Sequence, residues 1–224
     1  MLIIFDFGNT LIRLKKPEEA FVDECLDEIA ERLEIDAKRV KKAYREVFSA
    51  YERRREETHI EIFSRTLRRA FLRRLRGVSE EDIRKAHAMI IAKWQKYSEP
   101  FEDALEALKR LKELGHATAL LSNATYHDAV IATLDYHDLL KYIDHPYTSA
   151  SLGIRKPHPR AFELVVELSG HKKEEALMVG DNAYKDYLGA ISAGIKAVLL
   201  DRAKRYEKNV IHSLLELPEY LERL

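Results

Sequence analysis

At 224 residues, with 46% apolar and 34% charged side chains, the chain holds enough apolar material for one core domain plus a smaller insertion. Its 38 basic and 38 acidic residues cancel, which gives no general attraction to nucleic acid or to a membrane surface. One cysteine, Cys25, excludes an internal disulfide, no apolar run nears the ~18 residues of a membrane span, and the N-terminal run lacks a basic lead and a cleavage site, so the expected setting is soluble and cytoplasmic.

The chain opens MLIIFDFGNTLIRL, where four apolar residues lead into Asp6 and a Gly-Asn-Thr turn. Residues 2–6 read as a buried strand, and residues 1–14 as that strand plus a turn. Residues 15–98 contain no convincing strand. They read as helices over 18–33, 37–53, 60–75 and 80–97. In the first, Phe21, Val22, Cys25, Leu26, Ile29 and Leu33 form one apolar stripe. Asp36 is placed to cap the second, Gly77 to stop the third, and Ser79 with Asp82 to form a capping box for the fourth. Nine arginines fall between positions 53 and 76 (Arg53, Arg54, Arg55, Arg65, Arg68, Arg69, Arg73, Arg74 and Arg76), interleaved with Glu52, Glu56, Glu57 and Glu61. That mixture reads as a solvated, salt-bridged helix surface. Gln occurs once, at Gln95, while Glu, Lys and Arg abound; heat-adapted proteins share this composition, and so does any helix-rich charged surface.

From residue 99 the pattern alternates. A helix over 101–114 ends at Gly115, and the apolar run 117–122 follows. Then come a helix near 128–134, a short segment at 147–149, a helix over 159–168, the apolar run 176–181, a helix over 184–193 and the run 196–200. Residues 213–217 and 220–224 read as helical. Short apolar strands separated by helices predict βαβ units and a parallel sheet. The first strand must join that sheet. The core is therefore discontinuous, 1–14 plus 99–224, with 15–98 inserted as an all-helical unit.

Two of these strands end in aspartate, at Asp6 and Asp181, and a third ends in Ser122. Ligands of an open parallel sheet bind beyond the carboxyl ends of its strands, so these residues are expected to converge. Like-charged carboxylates brought together stay ionised only with a cation between them, and an all-oxygen donor set suits Mg²⁺, which also grips phosphate. Lys156, in the rigid Lys-Pro-His-Pro turn, is placed as a fixed cation for a phosphoryl oxygen. Ser122 and the amides of Asn123 and Ala124 are placed as further donors. Singly, each residue reads as a cap, a turn or a solvated charge; the order strand-Asp, strand-Ser, Lys-Pro, strand-Gly-Asp-x-x-x-x-Asp distinguishes them.

That order resembles the haloacid dehalogenase-like hydrolase superfamily. FDFGNTLI looks like its first motif, with Asp6 as nucleophile. LLSNA looks like the second, with Ser122; GIRKPHP like the third, with Lys156; and VGDNAYKD like the fourth, with Asp181 and Asp186. The resemblance implies an α/β fold, a Rossmann-like three-layer parallel sheet core with an inserted helical cap of the C1 type. It implies a Mg²⁺-dependent phosphatase of small phosphorylated metabolites working through an aspartyl-phosphate on Asp6. Asp6, Asp181, Asp186 and the Gly8 carbonyl would hold the metal, and Thr10, Ser122, Asn123 and Lys156 the phosphate. The chain departs from the family at one place. Most phosphatases of this kind read Asp-x-Asp, with the second carboxylate protonating the leaving group, while some members, sugar-phosphate phosphatases among them, read Asp-x-Gly-Asn; here that position is Gly8. Loss of a general acid, worth about 10²–10⁴-fold, weighs most on poor leaving groups. His59 and Glu57 are candidate substitutes. Two other readings stand beside the phosphatase: a metal-independent 2-haloacid dehalogenase, and a relic that binds phosphate or a partner without turnover.

Overall fold

The computed structural model describes residues 1–58, 74–75 and 79–224. Six parallel strands form one sheet: β1 (Leu2–Phe5), β4 (Ala117–Ser122), β5 (His145–Thr148), β6 (Ala176–Gly180), β7 (Lys196–Leu200) and β8 (Val210–Ile211), in the spatial order β5-β4-β1-β6-β7-β8. β1 lies between β4 and β6, with Phe5 opposite Leu120 on one side and Val179 on the other. All four β1 residues are fully buried, because both faces of the strand are covered. Ile3 and Phe5 enter the core formed with Ala104, Leu108 and Leu111 of α4 (Ala104–Glu113) and Val130 and Leu134 of α5 (His127–Tyr136). Leu2 and Ile4 enter the opposite core, with Ala161, Phe162 and Val165 of α7 (Pro159–Leu168). A short α6 (Ser149–Leu152) links β5 towards α7. The two-residue side-chain period of β1 therefore supplies both layers, at roughly 1.5–3 kcal/mol for each large side chain buried.

Between β1 and β4 the chain leaves the sheet. It forms β2 (Ile12–Leu14), then α1 (Glu18–Arg32), α2 (Ala37–Thr58) and α3 (Glu80–Tyr97), and returns through β3 (Ser98–Pro100). These helices have a core of their own, with Leu26, Ile29, Ala30, Val40, Ala43, Leu75, Ala86 and Met89. Asp36 accepts a hydrogen bond from Arg39 N at 2.9 Å, and Ser79 and Asp82 exchange the two bonds of a capping box, as the sequence predicts. The expected helix over 60–75 and its stop at Gly77 lie outside the described residues, apart from Arg74 and Leu75. Of the nine arginines, Arg74 is described and pairs with Glu46 at 2.8 Å on an exposed surface; the side chains of Arg53, Arg54 and Arg55, and Arg65, Arg68, Arg69, Arg73 and Arg76 altogether, lie outside. Among the described residues no helix is long and apolar enough to cross a membrane.

The structure departs from the sequence reading at the joins. β2 and β3 pair antiparallel, Ile12 opposite Pro100 and Leu14 opposite Ser98, where the sequence shows no strand. Three residues are too few to display a period of two, and Ser-Glu-Pro has no strand composition. α2 runs past Arg53 to Thr58, α4 starts at Ala104 after a turn, and residues 183–192 divide into a wide π-helical turn, Ala183–Leu188, and a short α8, Gly189–Ser192. The tail is a 3₁₀ turn, Leu214–Glu216, and α9, Leu217–Glu222.

Asp103, just before α4, ties the tail to the first loop. Its carboxylate accepts from Arg202 Nη1 and Nη2 at 2.8 Å each, Ser213 Oγ at 2.7 Å and Leu214 N at 2.9 Å. Arg202 Nη2 also donates to the Thr10 carbonyl at 3.0 Å, and the guanidinium lies 3.9 Å from the Phe101 ring centre. Burial pushes the Asp103 carboxyl up, but these donors outweigh it and hold the group below the usual range. A depressed folded value contributes stability above the unfolded value and loses it as pH falls through the folded one. Asp103→Asn should therefore cost about 2 kcal/mol at neutral pH. Urea titrations of both proteins should show the gap closing below about pH 4; a gap of constant size would mean that the charge contributes nothing.

Candidate active site

Asp6 stands one residue beyond β1, and its amide donates to the Val179 carbonyl at 2.9 Å, holding the strand end against β6. The chain then turns sharply. Leu11 N and Ile12 N both donate to the Phe7 carbonyl, and Asn9 N donates to the Ile12 carbonyl at 2.8 Å. Asn9 sits at φ 55°, a left-handed conformation that Asn tolerates well. This turn brings the buried Thr10 hydroxyl back to donate to Asp6 Oδ2 at 3.3 Å. Gly8 lies exposed at the tip, and its carbonyl accepts no hydrogen bond among the described residues.

Lys156 comes in from the loop before α7, next to a cis Lys156–Pro157 bond. It is 2% exposed. Its Nζ donates to Asp6 Oδ1 at 2.6 Å and to Asp186 Oδ1 at 2.7 Å. Asp186, also 2% exposed, accepts from the Asn182 amide through Oδ2 at 3.0 Å. The wide turn delivers it: Asp186 N and Tyr187 N both donate to the Asn182 carbonyl, while the Asn182 side chain caps Tyr184 N and Lys185 N. Asp181, half-buried, closes the group. Ligand oxygens of Asp6, Asp181 and Asp186 all lie within 4.8 Å of one another.

The charges of this cluster do not balance. Three carboxylates and one ammonium sum to −2 when all are ionised. Burial pushes the Asp6 carboxyl up to about 7 against the pull of Lys156, and the Asp186 and Asp181 carboxylates add to the rise. Burial raises Asp181 as well, with Asp186 beside it. Burial would depress Lys156, but Asp186 and Asp6 outweigh it and raise the ammonium above its ordinary value. The excess of two negative charges, in an all-oxygen donor set, fits a divalent hard cation such as Mg²⁺.

Ser122 ends β4 buried, and its hydroxyl has no hydrogen-bond partner among the described residues. The Asn123 amide has none either among the described residues, so both donors are unspent. Ala124 differs from expectation: its amide donates to the Ser122 carbonyl at 3.0 Å and is spent within the turn. The Asn123 side chain is also occupied, with Nδ2 donating to the Lys156 carbonyl at 2.8 Å and Oδ1 accepting from Lys156 N at 2.9 Å. His59 and the side chain of Glu57 lie outside the described residues.

The rule that finds Asp6 and Asp181 has a third match that the sequence reading passed over. Asp201 directly follows β7 and is fully buried. It faces its own turn, accepting from the amides of Arg205 and Tyr206 and from Arg205 Nε at 3.0 Å. Arg205 is thereby fixed with its guanidinium largely exposed, close enough to pull the Asp181 carboxyl downward. An apolar run ending in Asp thus marks two members of the cluster and one turn cap.

A family model described as haloacid dehalogenase-like hydrolase matches residues 1–194. A glyceraldehyde 3-phosphate phosphatase of Pyrococcus furiosus is 33% identical over 129 residues, 54% of this chain and 52% of that one. A phosphoserine phosphatase of Thermus thermophilus is 39% identical over 111 residues, 48% of this chain and 43% of that one. The chain spans about half the length of the curated relatives it matches. Among solved structures, a HAD phosphatase from Thermococcus onnurineus superposes with TM-score 0.70 at 22% identity, covering 98% of this chain and 97% of that one. A 2-haloacid dehalogenase from Pseudomonas syringae does so with TM-score 0.71 at 21%, covering 99% and 98%. Two named activities on nearly the same likeness mean that these two superpositions speak for the fold alone.

Gly180 gives the cluster a steric test. A Cβ there would stand 2.3 Å from Asp186 Oδ2 and 2.5 Å from its Cγ, so any side chain forces Asp186 away. Gly180→Ala should weaken Mg²⁺ binding about tenfold or more, measured by calorimetry against wild type. Unchanged affinity would show that Asp186 is not part of a cation site.

Proposed function

Because the chain belongs to the haloacid dehalogenase-like hydrolase family, we propose that it is a Mg²⁺-dependent phosphatase of small phosphorylated metabolites with Asp6 as nucleophile. One observation carries this reading: Asp6 shares Lys156 with Asp186 and lies within ligand distance of Asp181 and Asp186. A carboxylate cannot approach a phosphate dianion unless their charges are neutralised, and this cluster holds a fixed ammonium and three carboxylates close enough to share a divalent cation. The phosphatase names of the curated relatives support the same class. No observation favours the dehalogenase, since three gathered carboxylates have no use in a metal-free site.

Asp6, Asp181, Asp186 and the Gly8 carbonyl would hold Mg²⁺, which when bound supplies positive charge to a phosphoryl oxygen and to the carboxylates themselves. Lys156 Nζ keeps Asp6 oriented by its 2.6 Å bond and remains protonated, countering the charge of the incoming dianion. The Ser122 hydroxyl and the Asn123 amide bind phosphoryl oxygens, and the Thr10 hydroxyl orients Asp6 through Oδ2. An Asp6 oxygen attacks phosphorus in line, the bond to the leaving oxygen breaks, and that oxygen departs with the electron pair. Water then attacks the aspartyl-phosphate, releasing inorganic phosphate and restoring Asp6. The helices of residues 15–98 act as a cap over this end of the sheet. The Tyr51 hydroxyl on α2, 3.5 Å from Thr125 Oγ1 in the loop after β4, supports that placement.

The deciding assay is release of p-nitrophenol from p-nitrophenyl phosphate, with Mg²⁺ and with EDTA. Turnover should require Mg²⁺ and vanish in Asp6→Asn; a metal-independent rate, or one that survives in Asp6→Asn, would overturn the proposal. Gly8 permits a second test. A Cβ at this position meets nothing within 4 Å, so a side chain can start here without a clash. Gly8→Asp should raise turnover of an alkyl phosphate about tenfold or more while changing p-nitrophenyl phosphate little. An equal response from both substrates would mean that the leaving group already receives its proton from another group.

A further inference from the structure

We propose that Asn123 is a positioning residue that holds Lys156 in register with Asp6 and Asp186; as a statement about catalysis, this rests on the function proposed above. Both polar atoms of the side chain are spent on the backbone of a single residue. Nδ2 donates to the Lys156 carbonyl at 2.8 Å and Oδ1 accepts from the Lys156 amide at 2.9 Å. The pair of bonds copies the contact one strand makes with the next, across 33 residues of sequence. It fixes the peptide planes on both sides of the Lys156 Cα, and so the point from which the side chain starts.

This matters for a lysine in particular. Its four-carbon stem carries about 2 kcal/mol of rotamer freedom, and an ammonium has no directional preference of its own. Two carboxylates draw Nζ to 2.6 and 2.7 Å, but they set only the far end. The near end lies in a loop, where the neighbouring bonds are few: His158 N donates to the Arg155 carbonyl at 3.1 Å. A second stitch lies beside the first. The Ala124 carbonyl accepts from Ala150 N at 3.2 Å and Ser149 Oγ at 3.3 Å, so the loop after β4 is joined to the segment after β5 at two successive residues. The donors Ser122 and Asn123 N are thereby joined to Lys156 as one body.

The chemistry of the clamp is specific to an amide. Aspartate would accept from the Lys156 amide but set a carboxylate against its carbonyl, and alanine would leave both groups without their partner. Both side-chain bonds go to Lys156 and none to the phosphate donors, so the lysine is the route by which their removal is expected to reach a bound phosphate.

The test is a double-mutant cycle on the full chain with p-nitrophenyl phosphate and Mg²⁺. Asn123→Ala should lower kcat about 10–100-fold with KM changed less than about threefold. In a Lys156→Ala background the same change should remove less than about twofold more. Asn123→Asp should not restore the rate. A readout independent of turnover accompanies it: acetylation of Lys156 by acetic anhydride, followed by peptide mass spectrometry. Lys156 should be strongly protected in the wild type and label several-fold faster in Asn123→Ala, and in Asn123→Ser should the alanine variant not fold. Losses that multiply in the cycle, or a loss confined to KM, would overturn the proposal, as would labelling unchanged from wild type. If no variant, wild type included, turns over the substrate, the phosphatase reading falls, while the labelling still decides the clamp.

Discussion

The Lys156 ammonium, sunk between Asp6 and Asp186, is the contact around which the rest of the molecule is arranged. Taking an ammonium and two carboxylates out of water costs several kcal/mol per ion, and such a group persists only where geometry and hydrogen bonds compensate. The sheet supplies the geometry. β1 is buried on both faces and flanked by β4 and β6, so its carboxyl end is held from both sides, and Asp6 stands there. The wide turn after β6 returns Asp186 to the same point, and Gly180 leaves the space its carboxylate needs. With all groups ionised the cluster keeps a net negative charge, which sets it apart from a balanced buried salt bridge.

Much of this arrangement can be read in the residues. Helix 80–97, strand 117–122, helix 159–168 and strand 196–200 have the bounds that periodicity and caps predict, because each is long or strongly patterned and punctuated by Ser, Gly or Pro. Asp6, Lys156, Asp181 and Asp186 lie together because parallel topology allows few other places for the ends of successive strands. Details that depend on the folded path of the chain, near or far in sequence, are not legible there. The β2–β3 pair is stabilised by its partner and not by its own composition. The amide of Ala124 looks like a phosphate donor until its bond to Ser122 is seen. Asn123 has the composition of a binding residue, and only the fold shows that its side chain faces a backbone.

Asp201 illustrates the limit from the other side. By sequence it is indistinguishable from Asp6 and Asp181: an aspartate after a run of buried aliphatic residues at the end of a parallel strand. The difference lies in the five residues that follow. They form a turn tight enough to aim two amides and a guanidinium back at the carboxylate, which is thereby engaged by its own turn. After Asp6 the chain turns its amides on Phe7 and Ile12 instead, leaving the carboxylate to Lys156 and Thr10. What separates a cap from a reactive group is where the next few N–H groups are directed.

The ribbon of β2 and β3 has a consequence for the sheet. Lys15 N donates to the Tyr97 carbonyl and Phe101 N to the Leu11 carbonyl, so the outgoing and returning strands are bonded along their whole passage. The chain thus leaves and re-enters the core at one place, and the described helices touch the core again beyond the ribbon, with Tyr51 Oη 3.5 Å from Thr125 Oγ1 and Gln95 Nε2 donating to the Ala132 carbonyl at 2.9 Å. Closing a loop is an entropic cost that grows only slowly with its length, and here the ends are already held together. The register of β1 against β4 and β6 is thus spared most of the closure cost of the insertion.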